Sequence, residues 1–166
     1  KRFFEKHETL MCILLIVLYL VINAFCVNSF GSDDYRSALI NTAFSAVLII
    51  IAVSLKRVSY YGLTKPQNVK KFLYFIPLVL IVSVNLWTGI NISQTASQII
   101  AHTLVMFNVG FAEEIIFRGF LFKMMEKGSV KTAVIVSSLT FRIGHIVNLF
   151  NGDDLVPTLL QICYAT

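Results

Sequence analysis

Charge is scarce in this chain. Charged residues make up 14% of its 166 positions, where an ordinary soluble domain carries about a quarter. Hydrophobic residues fill 57%, and the mean hydropathy is +0.77. That balance excludes a soluble globular domain and points to an integral membrane protein. Cysteine is equally sparse: Cys12, Cys26 and Cys163 sit scattered in apolar segments without a CxxC pairing, which excludes a disulfide framework and a thiolate metal site. Only His7, His102 and His145 are available as imidazoles, and no His-Glu-x-x-His pair occurs. There is no Gly-x-Ser-x-Gly turn, no internal repeat, no low-complexity tract and no Gly/Ser linker, so one membrane domain is the economical reading.

What is abundant is the long apolar run. These runs lack the two-residue alternation of a membrane barrel, so the fold class is an all-α polytopic membrane protein. Five complete transmembrane helices are expected, at about Leu10 to Phe30, Ala38 to Leu55, Phe72 to Ile90, Ile99 to Phe122 and Thr132 to Phe150. Each is near the ~20 residues that cross a 30 Å hydrocarbon core. A sixth begins at Pro157 and is cut at Thr166, and the chain starts at Lys1 without a methionine, so both ends read as those of a piece of a longer protein.

The formal net charge of +5 is explained by its location. Of 14 Lys and Arg, eleven lie in the N-terminal segment, the Lys56 to Lys71 loop and the Lys123 to Lys131 loop. Such a bias places those segments and the N-terminus in the cytoplasm of a multi-pass plasma-membrane protein and makes the lipid bilayer, not nucleic acid, its partner. The first span is too long for the apolar core of a signal peptide and is read as a retained anchor. The Lys56 to Lys71 loop is read as a topology determinant attracted to anionic lipid.

Three ionisable residues interrupt the fourth span: Glu113, Glu114 and Arg118. Each Asp, Lys or Arg at a helix centre costs roughly 2.5 to 3.5 kcal/mol on insertion scales, so such a group needs pairing or a wet cavity. Four-residue spacing on a helix predicts an ion pair between Glu114 and Arg118, leaving Glu113 on another face as a surplus carboxylate fit to be a general base. The fifth span contributes Phe141, Arg142, His145 and Asn148, with Ser137 and Ser138 before them. By helical rise, Glu113 and His145 lie roughly 15 and 21 Å from the basic ends of their helices, so an antiparallel pair brings them to one cavity. On this reading Arg142 is neutralised by Glu113 or Glu114. The serines, seven and eight positions before His145 on one helix, are too distant to be activated by it and are read as packing residues. His102, some 16 Å from Glu113, is read as structural.

The run Ala112-Glu113-Glu114-Ile115-Ile116-Phe117-Arg118-Gly119 resembles the EExxxR-G signature of the CPBP family of intramembrane endopeptidases, named for CAAX processing and bacteriocin processing and also called the Abi family. Ser137 to His145 is similar to its FxxxH motif with a serine pair upstream. The likeness extends from about Tyr60 to Thr166, dividing the chain into residues 1–59, topology-anchoring helices, and residues 60–166, a partial protease-like membrane domain. The resemblance implies a protease acting on membrane-associated peptides or proteins, with Glu113 and His145 activating water and Glu114 and Arg118 holding the site. Phe141, Arg142 and Asn148 are its supporting residues, although Arg142 stands where the family has a small or apolar residue. The family's later His-x-x-x-Asn, tied to oxyanion stabilisation, is not among these residues.

Cofactor use is open on this reading: either a divalent metal such as zinc, with Glu113 and His145 as candidate ligands, or none. The expected role is bacteriocin maturation or self-immunity. A non-catalytic scaffold or immunity protein, binding a partner through the same polar cavity, is the alternative. A transporter reading lacks the broken helices or inverted repeats it requires.

Overall fold

A computed structural model describes residues 7–65, 68–77, 79–80, 83, 93–152 and 154–164. Helix α1 spans Glu8–Phe30 and α2 spans Tyr35–Ser54. A short 3-10 helix follows at Val69–Phe75. Helix α3, Ala96–Glu113, continues without interruption through a π-helical segment, Glu114–Leu121, into α4, Phe122–Glu126. Helix α5 spans Val130–Gly144, α6 Val147–Phe150 and α7 Leu155–Tyr164.

Among the described residues there is no strand, and four helical stretches are long and apolar enough to cross a membrane: Glu8–Phe30, Tyr35–Ser54, Ala96–Glu126 and Val130–Phe150. The 23 residues of the first correspond to about 34 Å of helix, enough for the hydrocarbon core. These four answer to the first, second, fourth and fifth expected spans. The third, Phe72 to Ile90, falls largely outside the described residues, and its first four residues lie in the 3-10 helix. The start of the sixth is α7, which opens two residues before Pro157; a proline in the first helical turn removes no intrahelical hydrogen bond.

Loop chemistry explains where the helices begin. Asp34 caps α2 by accepting the Arg36 backbone N–H at 2.8 Å. Thr95 and Gln98 form a reciprocal capping box at the start of α3. The Gln98 side chain also donates to Asp33 at 3.0 Å, tying the α1–α2 loop to α3. Ser129 caps α5 through the Thr132 N–H.

The packing has an inside even though the helices are apolar all round. Cys12, Leu15 and Tyr19 of α1, Phe44 and Leu48 of α2 and the π segment's Ile116 meet in one buried cluster. Leu14, Val17, Leu18 and Val21 of α1 point away from it, the face a bilayer would cover. Asn108 of α3 donates to Thr42 of α2 at 3.0 Å, an interhelical bond between polar side chains where the two helices pack most extensively. Helix α1 packs on α2, the π segment and α6, and α5 packs on the π segment, α4 and α7. The charged signature thereby lies between α1 and α5.

Candidate active site

Glu113 is the last residue of α3, at the point where the helix passes into its π segment. π-type hydrogen bonding within an α-helix is rare and recurs at functional sites, because the widened turn re-aims the side chains that follow. The Glu113 carboxylate is half-buried and accepts a hydrogen bond from the Tyr19 hydroxyl at 2.7 Å. Tyr19 is itself only 4% exposed and packs its ring near Phe44. One carboxylate oxygen of Glu113 is thus engaged by the first span.

His145 sits just past the end of α5, at the break before α6. Its Nδ1 lies 3.0 Å from the Phe141 carbonyl oxygen. A carbonyl only accepts, so Nδ1 carries the proton and, in the neutral ring, Nε2 is the basic nitrogen. The Phe141 ring meets the imidazole edge-on at 5.0 Å and the Phe117 ring at 5.3 Å, bracing the imidazole from the α5 side. Glu113 and His145 line one cavity of about 290 Å³, whose other walls include Tyr19, Asn23, Phe117, Phe141, Asn148 and Gln161.

The expected ion pair between Glu114 and Arg118 is not formed. Both residues line a second cavity of about 280 Å³ with Tyr61 and Lys123, but no salt bridge joins them among the described residues. The four-residue rule assumes α-helical register, and this stretch is π-helical. Arg118 instead places its guanidinium 5.2 Å from the centre of the Phe141 ring, a cation–π contact. Its Nη1 is buried without a hydrogen-bond partner among the described residues. Phe141 is therefore touched by Arg118 and by His145, linking the two motifs through one ring.

Arg142 corrects a second expectation. It does not meet Glu113 or Glu114; its Nε donates to the Ile162 carbonyl at 2.7 Å and its Nη2 to the Cys163 carbonyl at 2.8 Å. The last carbonyls of a helix lack intrahelical donors and carry the negative end of its dipole, so α7 offers the cation a better partner than a distant carboxylate. The Asn148 side chain donates to Gln161 of α7 at 2.8 Å, and its bond to His145 is through the backbone, N–H to carbonyl at 3.0 Å. Ser137 is buried and bonds the Val134 carbonyl of its own helix at 3.3 Å. The Nδ1 of His102 is buried without a partner among the described residues, and His102 lines neither cavity.

No group of three His, Cys, Asp or Glu that could hold a metal ion gathers among the described residues. Glu113 and His145 supply two donors to a catalytic zinc site that would ordinarily draw three from the protein.

Tyr19 is the residue that sequence reasoning passed over. Its signal was a single phenol among aliphatic residues in the middle of the first span, since a buried tyrosine hydroxyl ordinarily seeks a partner.

Compared with known families, residues 95–166 match the family described as Rce1-like, type II CAAX prenyl endopeptidase. The match opens at Thr95, the cap of α3, and contains both motifs; residues 60–94, where the resemblance was also expected, lie outside it. The CPBP likeness of Glu113 to Gly119 and of Ser137 to His145 is borne out over that segment. No curated protein and no solved structure matches the chain.

Proposed function

We propose, from the match of residues 95–166 to the CAAX prenyl endopeptidase family, that this multi-pass membrane protein is an intramembrane endopeptidase whose water is activated by Glu113 and His145. The observation that carries the reading is the convergence of these two side chains, from different helices, on one cavity. Each has one atom engaged and one left over. Glu113 accepts from Tyr19 at Oε1, leaving Oε2 for a water; His145 donates from Nδ1, leaving Nε2.

A water held between Oε2 and Nε2 loses a proton to the carboxylate as its oxygen attacks a peptide carbonyl. The proton then passes to the departing amine, so one water and one peptide bond become a carboxylate and an amine. His145 holds the attacking water and shares the proton. Phe141 packs edge-on against the imidazole and is itself held by the Phe117 ring and the Arg118 guanidinium. Glu114 lines the neighbouring cavity and acts through the position of the π segment.

The substrate on this reading is a peptide held at the membrane, of the CAAX prenyl kind that the family description names. Bacteriocin maturation or self-immunity is a role supported by the motif resemblance alone. The test is a double-mutant comparison on a membrane-anchored reporter peptide. Residues that act on one water are grossly non-additive, so Glu113→Gln, His145→Ala and the double variant should lose similar amounts of kcat. Losses that multiply would show two independent sites and contradict the reading.

A further inference from the structure

Outside the candidate active site, the α2 end of the bundle carries a third cavity of about 580 Å³, lined by Lys56, Arg57, Val58, Ser59, Tyr60 and Lys127. None of these residues lines the Glu113–His145 cavity. The volume lies within the ~300 to 1,000 Å³ of small-molecule sites. Three of its six lining residues are cations, so the ligand it fits is an anion.

Among the described residues, Glu8 of α1 is the acid paired with this cluster. It accepts Arg57 Nη1 at 2.9 Å and also the Lys127 ammonium. That arrangement holds two of the cations in place and offsets one of them, while Lys56 is exposed at the cavity edge. Tyr60 is held in the lining: its hydroxyl donates to the Lys123 carbonyl at 2.8 Å, and its ring lies 5.7 Å from the Arg57 guanidinium. The backbone N–H groups of Val58 and Ser59 make no hydrogen bond among the described residues and, with the Ser59 hydroxyl, add neutral donors.

The backbone at Lys56 supplies an independent observation. Lys56 has φ +56°, and among the described residues it is the non-glycine position with positive φ. Its N–H bonds the Val53 carbonyl and the Arg57 N–H bonds the Ala52 carbonyl, the two bonds of a Schellman motif closing α2. Glycine ordinarily fills this left-handed position because a side chain is disfavoured there. Here the position carries a lysine, so the strained conformation is kept together with a cation at the mouth of the cavity.

We propose that this cavity binds a phosphate group, presented by an anionic lipid headgroup or free in solution, with Lys56 as a direct ligand. The test uses the full chain in nanodiscs of neutral phosphatidylcholine, with phosphatidylglycerol or inorganic phosphate added, and reads lipid retained by native mass spectrometry together with the unfolding temperature. Lys56→Gly is the informative variant, because it removes the cation while relieving the backbone. It should unfold no lower than the parent in neutral lipid, yet retain about fivefold less phosphatidylglycerol, the amount one lysine near an anionic surface is worth. Stabilisation by inorganic phosphate that Lys56→Gly abolishes would support the same site with a soluble ligand. Retention and stabilisation equal in parent and variant for both ligands would overturn the proposal.

Discussion

Tyr19 and Glu113 lie 94 positions apart and meet at 2.7 Å, phenol to carboxylate, inside the helical bundle. The bond joins the first span to the signature helix. It also gives the segment that precedes the family match a direct hold on the residue proposed to activate water, since residue 19 lies far outside residues 95–166.

That hold has a measurable size. Tyr19→Phe preserves the ring and its neighbour Phe44 while deleting one hydrogen bond to a charged group. Such bonds are worth about 1.5 to 3 kcal/mol, so kcat should fall about tenfold or more while KM changes little. A change confined to KM would mean that Tyr19 touches substrate and does not position Glu113.

Arg142 should behave as a helix cap. Arg142→Leu removes the donors to Ile162 and Cys163 and should cost about 1 kcal/mol of stability, the usual worth of a partly exposed side-chain bond to backbone. Thermal unfolding reads that loss, and kcat per folded molecule should be unchanged. An intact unfolding temperature with a depressed kcat would return Arg142 to the cavity.

Gly119 of the π segment packs close to Ile115 and Tyr61. A Cβ there would meet Ile115 Cδ1 at 3.3 Å and the Tyr61 carbonyl oxygen at 3.5 Å. The first neighbour is the end of a flexible side chain and can give, and alanine gains up to about 1 kcal/mol of helix propensity over glycine, so Gly119→Ala should unfold near the parent temperature. Gly119→Leu must displace Tyr61 and should cost about 1 to 3 kcal/mol. Equal stability for the two variants would mean the π segment is not packed against Tyr61.

The parts of this architecture visible in the sequence are those set by composition and helical rise. Four of the expected spans and the approach of Glu113 to His145 follow from apolar length and depth along a helix. Where the reading failed, the cause was local. Glu114 and Arg118 were paired by a rule that holds for α-helical register, and nothing in Glu-Ile-Ile-Phe-Arg-Gly announces i→i+5 hydrogen bonding. Arg142 was paired by charge alone, whereas the nearest acceptors are backbone carbonyls, which every residue carries and no pattern marks. Tyr19 was legible as an isolated phenol, but its partner depends on how α1 docks against the π segment, a tertiary fact.

The central claim is that Glu113 activates water. The measurement that tests it most directly is cleavage of a membrane-anchored reporter by Glu113→Gln in the full chain, with unfolding temperature recorded in parallel. Glutamine can still accept the Tyr19 bond but cannot take a proton at neutral pH, so the account predicts a kcat lower by a factor of at least about 100 in a protein that remains folded. Cleavage at the parent rate would contradict it and leave the polar cavity as a binding surface without catalysis.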